Sequence, residues 1–161
     1  MEFRILEERL TGLPPITRGV QSFTPVFGYG SKKDLMAFLA SERKTGEAYY
    51  PLVWVMVPFT VSGDIFKFGR SKAEISIILA TITSRDISNS ERVAITFEGT
   101  LEPLLENVVK SLRYGGSTGL IDGQPFETQK YFGYDTDGSN FTSDVWDAIT
   151  LKCSINFKYS C

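Results

Sequence analysis

The sequence predicts a small α+β domain, a mainly antiparallel sheet of about four strands with two or three helices packed on it. Three observations carry that expectation. Ile149, Leu151, Cys153, Ile155, Phe157 and Tyr159 alternate with Thr150, Lys152, Ser154, Asn156, Lys158 and Ser160, the period of a strand with one buried and one polar face. Two apolar runs, Tyr49 to Val57 and Lys72 to Ser84, read as strands covered on both sides. Two stretches at helical spacing each follow a serine with an acidic residue three positions on, a capping box.

The elements follow in chain order. Over residues 1–13, Phe3, Leu6, Leu10 and Leu13 recur every three or four residues on one helical stripe, and Gly12 with Pro14-Pro15 ends it. An extended piece from Ile16 to Phe27 comes next, then a turn at Gly28-Tyr-Gly30. Ser31 caps a short helix with Asp34 in the reciprocal position, Leu35, Phe38 and Leu39 on its buried side, and Lys44-Thr-Gly46 at its end. The strand Tyr49 to Val57 is bounded by Pro51 and Pro58, which cannot donate to a ladder. Val61 to Phe68 turns back through Ser62-Gly63-Asp64, and Lys72 to Ser84 follows as a central strand.

Ser88-Asn-Ser90-Glu91 opens the longest helix, Ser90 to Arg113, whose stripe is Phe97, Leu101, Leu105, Val108 and Leu112. Pro103 inside it clashes with the carbonyl of Gly99, so a kink is expected there. From Gly115 to Asp144 the chain is rich in Gly, Ser, Thr and Asp, with Tyr131, Phe132, Tyr134 and Phe141 scattered through it. This reads as a long loop or arm (115–144) that contacts a partner. The whole is a single domain over 1–161, with no repeat or linker.

Composition narrows the chemistry. The 161 residues contain no histidine, which removes Ser-His-Asp and Cys-His nucleophile pairs, His-ligated zinc and imidazole acid–base catalysis. Seventeen basic against nineteen acidic residues give a net charge of -2, not the basic excess of a protein that grips nucleic acid by its phosphates. The two cysteines, Cys153 and Cys161, on one face of one strand lie roughly 26 Å apart, too far for a disulfide, and read as reduced thiols. No secretory signal is read at the start, and the apolar run Pro51 to Val61 is too short to span a bilayer, so a soluble intracellular protein is expected.

Few motifs suggest chemistry. Gly28-Tyr-Gly30-Ser-Lys-Lys33 lacks the spacing and order of a phosphate loop and reads as the turn before a helix. Asp135-Thr-Asp137-Gly138-Ser-Asn140 offers oxygen ligands, but its glycine is misplaced for an EF-hand and a solvated turn explains it. Asp144 and Asp147 flank Trp146 and form a carboxylate pair of the kind hydrolases use. The aromatics Tyr131, Phe132, Tyr134, Phe141 and Trp146 have few basic neighbours, so they fit protein-interface anchors better than a base-stacking platform. The alternatives left open are a small ion- or carbohydrate-binding module and a carboxylate-dependent hydrolase.

The order of segments carries a resemblance. Tyr50-Pro-Leu-Val-Trp54 runs to Pro58-Phe59, an apolar strand ends in Thr81-Ile-Thr83, and Ser90-Glu-Arg92, Phe97, Leu101, Pro103-Leu104 and Asn107 follow. Tyr131-Phe-Gly133 and Asp144-Val-Trp-Asp147-Ala-Ile149 then lead into the last strand. Over residues 23 to 159 this resembles a family of small virion proteins of tailed Bacteroidetes phages and prophages, including crAss-like phages. It is similar in element order to phage tail-terminator and tail-completion proteins, which act as head–tail connectors.

The resemblance implies a tail-terminator-like fold and a structural, non-catalytic subunit without a cofactor. Such a subunit forms a homo-oligomeric ring of sixfold or twelvefold symmetry at the virion neck or tail, assembled in the host cytoplasm. Its neighbours would be portal or adaptor and tail ring proteins, with no membrane contact. Genomic DNA would pass through the lumen without specific binding, which a slightly acidic wall permits. Tyr131, Phe132, Tyr134 and Phe141 in the 115–144 region, with Trp146 just after it, are the expected subunit interface, and Ile16 to Phe27 is the second candidate contact. Head-to-tail ring contacts are heterologous, so the two patches must differ.

Overall fold

One long antiparallel pair forms the centre of the molecule. In this computed structural model, which describes residues 2–45, 51–63, 70–84, 86–113, 118–120, 126–134 and 144–158, β6 (Arg70–Ser84) runs beside β9 (Asp144–Lys158). The register is unbroken from Arg70↔Lys158 to Ser84↔Asp144. Both strands are dense in β-branched residues, whose side chains pack well on a pleated surface.

Shorter strands add to each outer edge of this pair. On the β6 side, β4 (Leu52–Met56) pairs with residues 77–80 and β5 (Thr60–Gly63) with residues 71–74, both antiparallel. On the β9 side lie β7 (Thr118–Leu120) and β8 (Glu127–Tyr131), again antiparallel. The outermost strand beyond β4 is β3 (Val26–Gly30), which pairs with it in parallel. The fold is α+β and the sheet's pairings are antiparallel except β3–β4, which makes it mixed; it has seven strands, not the about four that the sequence suggests. The additional strands are short and lie in segments without a period-2 apolar pattern.

Three further expectations are corrected. The piece from Ile16 to Phe27 folds as a separate hairpin, β1 (Ile16–Arg18) with β2 (Gln21–Phe23), followed by the start of β3. Gly28-Tyr-Gly30 is not a turn but part of β3, and the reason is steric. Gly28 faces Trp54 across the parallel register, and a Cβ on Gly28 would sit 2.6 Å from the indole Cε3. The Trp54 Nε1 donates to the Gly30 carbonyl at 3.3 Å, so the ring lies across both glycines. Likewise, the 115–144 region is not a plain loop or arm, because it contains β7 and β8.

The helices divide between the two faces. α1 (Glu2–Thr11) and the long helix beginning at Asn89 cover one face. Leu6, Leu10, Phe97, Leu101, Leu104, Val108 and Leu112 meet the odd-numbered residues of β6 and β9 there. Each fully buried Leu or Phe contributes about 1.5–3 kcal/mol. Ser111 Oγ ties the layer together by donating to the Arg9 carbonyl at 2.8 Å. On the other face α2 (Lys32–Thr45) places Leu35 and Leu39 over Leu52, Trp54, Ile78, Ala80, Trp146 and Ala148. It covers only that end, so Lys72 and Glu74 at the other end of β6 carry a polar surface.

Both capping boxes form. Ser31 Oγ accepts from Asp34 N–H while the Asp34 carboxylate accepts from Ser31 N–H at 2.8 Å. Ser88 and Glu91 repeat the arrangement at the start of α3 (Asn89–Arg92). The long helix then widens into π-helical turns over Val93–Leu101 before α4 (Glu102–Arg113) resumes the α register. The Glu102 N–H bonds the Phe97 carbonyl five residues back. Pro103, expected to kink an α-helix, thus stands directly after the π-helical turns, where the helix passes from the wide register to the α register.

Candidate subunit interface

The expected interface residues are organised by a buried ion pair. The capping box at Ser88 sets the start of α3, so that Arg92 comes round to face the sheet one turn later. From the sheet, β9 presents Asp147, which is fully buried. Arg92 Nε donates to Asp147 Oδ2 at 2.8 Å and Nη2 to Oδ1 at 2.5 Å, a two-pronged contact matched to the guanidinium fork. The same Oδ1 accepts the Gly133 N–H at 2.9 Å.

That third bond anchors the turn following β8. Gly133 has a φ of 66°, in the left-handed region where glycine is unstrained. On either side of it, Phe132 and Tyr134 are fixed by separate contacts. The Phe132 ring lies 5.2 Å from the Arg92 guanidinium carbon and 5.1 Å from the Phe97 ring, edge to face. The Tyr134 N–H donates to the Trp146 carbonyl at 2.7 Å, and its ring meets Tyr131 edge to face at 5.3 Å. Burial raises the Tyr134 phenol above its ordinary range, and the neighbouring Tyr131 adds to this. Tyr131 OH donates to Gln129 Oε1, and Lys130 pairs with Glu102 of α4. The outcome is a rigid aromatic turn with Phe132 51% and Tyr131 37% exposed.

The other expected residues lie elsewhere. Trp146 is wholly buried beneath α2, where its Nε1 donates to the Leu39 carbonyl at 3.3 Å, so it is a core residue of this chain. Phe141, Asp135, Asp137 and Asn140 lie outside the described residues, as does the side chain of Asp144. Asp147 is held by Arg92 and Gly133 instead of facing a cleft. Cys153 is buried, and burial pushes its thiol up to about 12; Cys161 lies outside the described residues. Among the described residues no group of three or more Cys, Asp and Glu side chains could hold a metal ion. No helix among them is long and apolar enough to cross a membrane.

A second apolar patch comes from the β1–β2 hairpin. Its two-residue turn is Gly19-Val20, with Gly19 at φ 61° in the first central position, as a type II′ turn requires. Val20 at the tip is entirely exposed. The hairpin rests on the π-helical segment near Gly99, while Phe132 reaches the same segment from the β9 side. Val93 and Ile95 on the segment itself are also part-exposed, at 37% and 41%. The sequence reading missed Arg92, Val20, Val93 and Ile95. Only Arg92 left a signal, since Arg92, Thr96 and Thr100 follow at spacings of four beside the apolar stripe. No protein-family model matches the chain, and no curated protein matches it significantly.

Proposed function

We propose that the chain is a structural ring subunit with a tail-terminator-like fold, joining portal or adaptor to tail in a phage particle. The observation that carries this is the pair of unlike apolar patches flanking the π-helical segment. One is the Val20 hairpin tip, and the other is the Tyr131–Phe132 turn. A protein that closes a ring head to tail needs two different surfaces, each complementary to the other, whereas a twofold dimer needs only one. The aromatic turn is pre-ordered by Asp147 and Arg92, so little conformational entropy is lost when it docks.

The resemblance in element order supplies the biological setting, and the absence of histidine together with a net charge of -2 agrees with a DNA-conducting scaffold. Its action is geometric: self-association in a ring, stacking on unlike rings, and passage of DNA without specific contacts. Mass spectrometry of purified particles from the phage or induced prophage carrying the gene tests the reading. The chain is expected as a fixed-copy component, and Val20→Glu or Phe132→Glu subunits should fold but fail to incorporate. Absence of the wild-type chain from the particles would refute it.

A further inference from the structure

Under the hairpin lies a small cavity of about 130 Å³, lined by Arg18, Phe23, Pro51, Thr81, Ile82 and Thr100. Its polar groups are unevenly satisfied. Thr100 Oγ1 donates to the Ile95 carbonyl at 3.2 Å, so its hydrogen is committed. Thr81 is 8% exposed, and its hydroxyl has no partner among the described residues. A buried donor left unmade is unfavourable by about 1–3 kcal/mol, which a bound acceptor would relieve.

Arg18, an exposed residue of β1, stands at the rim of the same cavity. Its stem passes Gly99, with Cδ 3.6 Å from where a Cβ would stand, and its guanidinium lies 5.4 Å from the Phe23 ring centroid. It forms no ion pair among the described residues. The carboxylate that register sets beside Thr81 is Asp147, and Arg92 already balances its charge. The cavity thus offers a solvent-facing cation with no ion pair and a buried hydroxyl with no hydrogen-bond partner among the described residues, and apolar walls from Phe23 and Pro51. Its volume is close to that of a cavity of about 150 Å³ that admits benzene, a ligand of six heavy atoms.

We propose that this cavity is a binding site for a carboxylate on a short apolar stem, one oxygen meeting Arg18 and the other the Thr81 hydroxyl. A two-oxygen acceptor satisfies both groups at once, which a halide or a neutral amide does not. The site does not depend on ring assembly. The carboxylate can be a free small acid or an acidic side chain of a second copy.

Amide NMR of the full chain, titrated with sodium propionate at constant ionic strength against sodium chloride and propionamide, tests it. Saturable shifts at Arg18, Phe23, Thr81 and Thr100 with propionate alone are expected. Arg18→Gln should weaken them by about tenfold or more, since charged hydrogen bonds are the stronger kind. Thr81→Val should raise the urea midpoint, because an unpartnered hydroxyl is removed, while also weakening propionate binding. A dilution series without ligand separates the sources: concentration-dependent shifts at the same amides, lost in Arg18→Gln, identify a second copy, and their absence identifies a free acid. Equal shifts with chloride or propionamide, no saturable shift with propionate, or unchanged binding in both variants would overturn the proposal.

Discussion

Removing the charge from Asp147 leaves the Arg92 guanidinium buried without a counter-ion and weakens the acceptor of the Gly133 N–H. Breaking one side of a buried pair is destabilising by about 3–5 kcal/mol, more than the pair contributes relative to an apolar replacement. Asp147→Asn is therefore expected to lower unfolding free energy by about that amount in urea titrations. The double variant Arg92→Met with Asp147→Leu should lie closer to wild type than Asp147→Asn does, because no uncompensated charge remains. The same cycle would lose the anchor of Gly133, so the aromatic turn should loosen even where stability recovers. None of this is readable locally, because the two partners lie 55 positions apart and only the fold brings them together.

Helix starts are different, because all their information lies within four residues. Ser31 with Asp34 and Ser88 with Glu91 form as the sequence predicts. Hydrogen bonds from the Ser31 side chain and backbone hold Asp34 below its usual 3.8, and those from Ser88 hold Glu91 below its usual 4.5. A carboxylate whose pKa is lower in the folded chain stabilises above its unfolded value, and that contribution is lost as pH falls through the folded value. Melting temperature should therefore fall with acidification below about pH 4.5. Ser31→Ala and Ser88→Ala should each make that fall shallower, measured by circular dichroism across pH 2 to 6. Strand β8 is the opposite case. All five of its residues are exposed, so no burial period marks it, and it is a strand because the edge of β9 offers a ladder to join. The π-helical turns were equally hidden: Thr96-Phe97 and Thr100-Leu101 are adjacent buried pairs, which an apolar stripe read at α spacing records only as Phe97 and Leu101.

At the scale of the whole molecule, β6 and β9 are the shared spine to which every other strand of the main sheet attaches directly or through β4. Local opening follows the number of contacts an element must give up. In hydrogen exchange by NMR, the amides of residues 75–79 and 149–153 should be the slowest, with the β1–β2 hairpin and β8 orders of magnitude faster. Uniform protection across hairpin and spine would contradict this layout. The spine was legible because its apolar residues dominate two long runs. The edges and the hairpin were not, because their pairing depends on neighbours distant in sequence and on the space that Gly28 leaves for Trp54.

The two tryptophans also share one side of the sheet: Trp54 and Trp146 both sit in the cluster under α2, with their indole N–H groups directed to carbonyls at either end of that layer, Gly30 and Leu39. The chain's indole emission is consequently an optical reporter of α2 docking, while the opposite layer of α1 and α4 contributes no tryptophan signal. Emission therefore observes one layer and far-ultraviolet ellipticity the whole backbone, α1 and α4 included, and coincident transitions would show that the two layers come apart together.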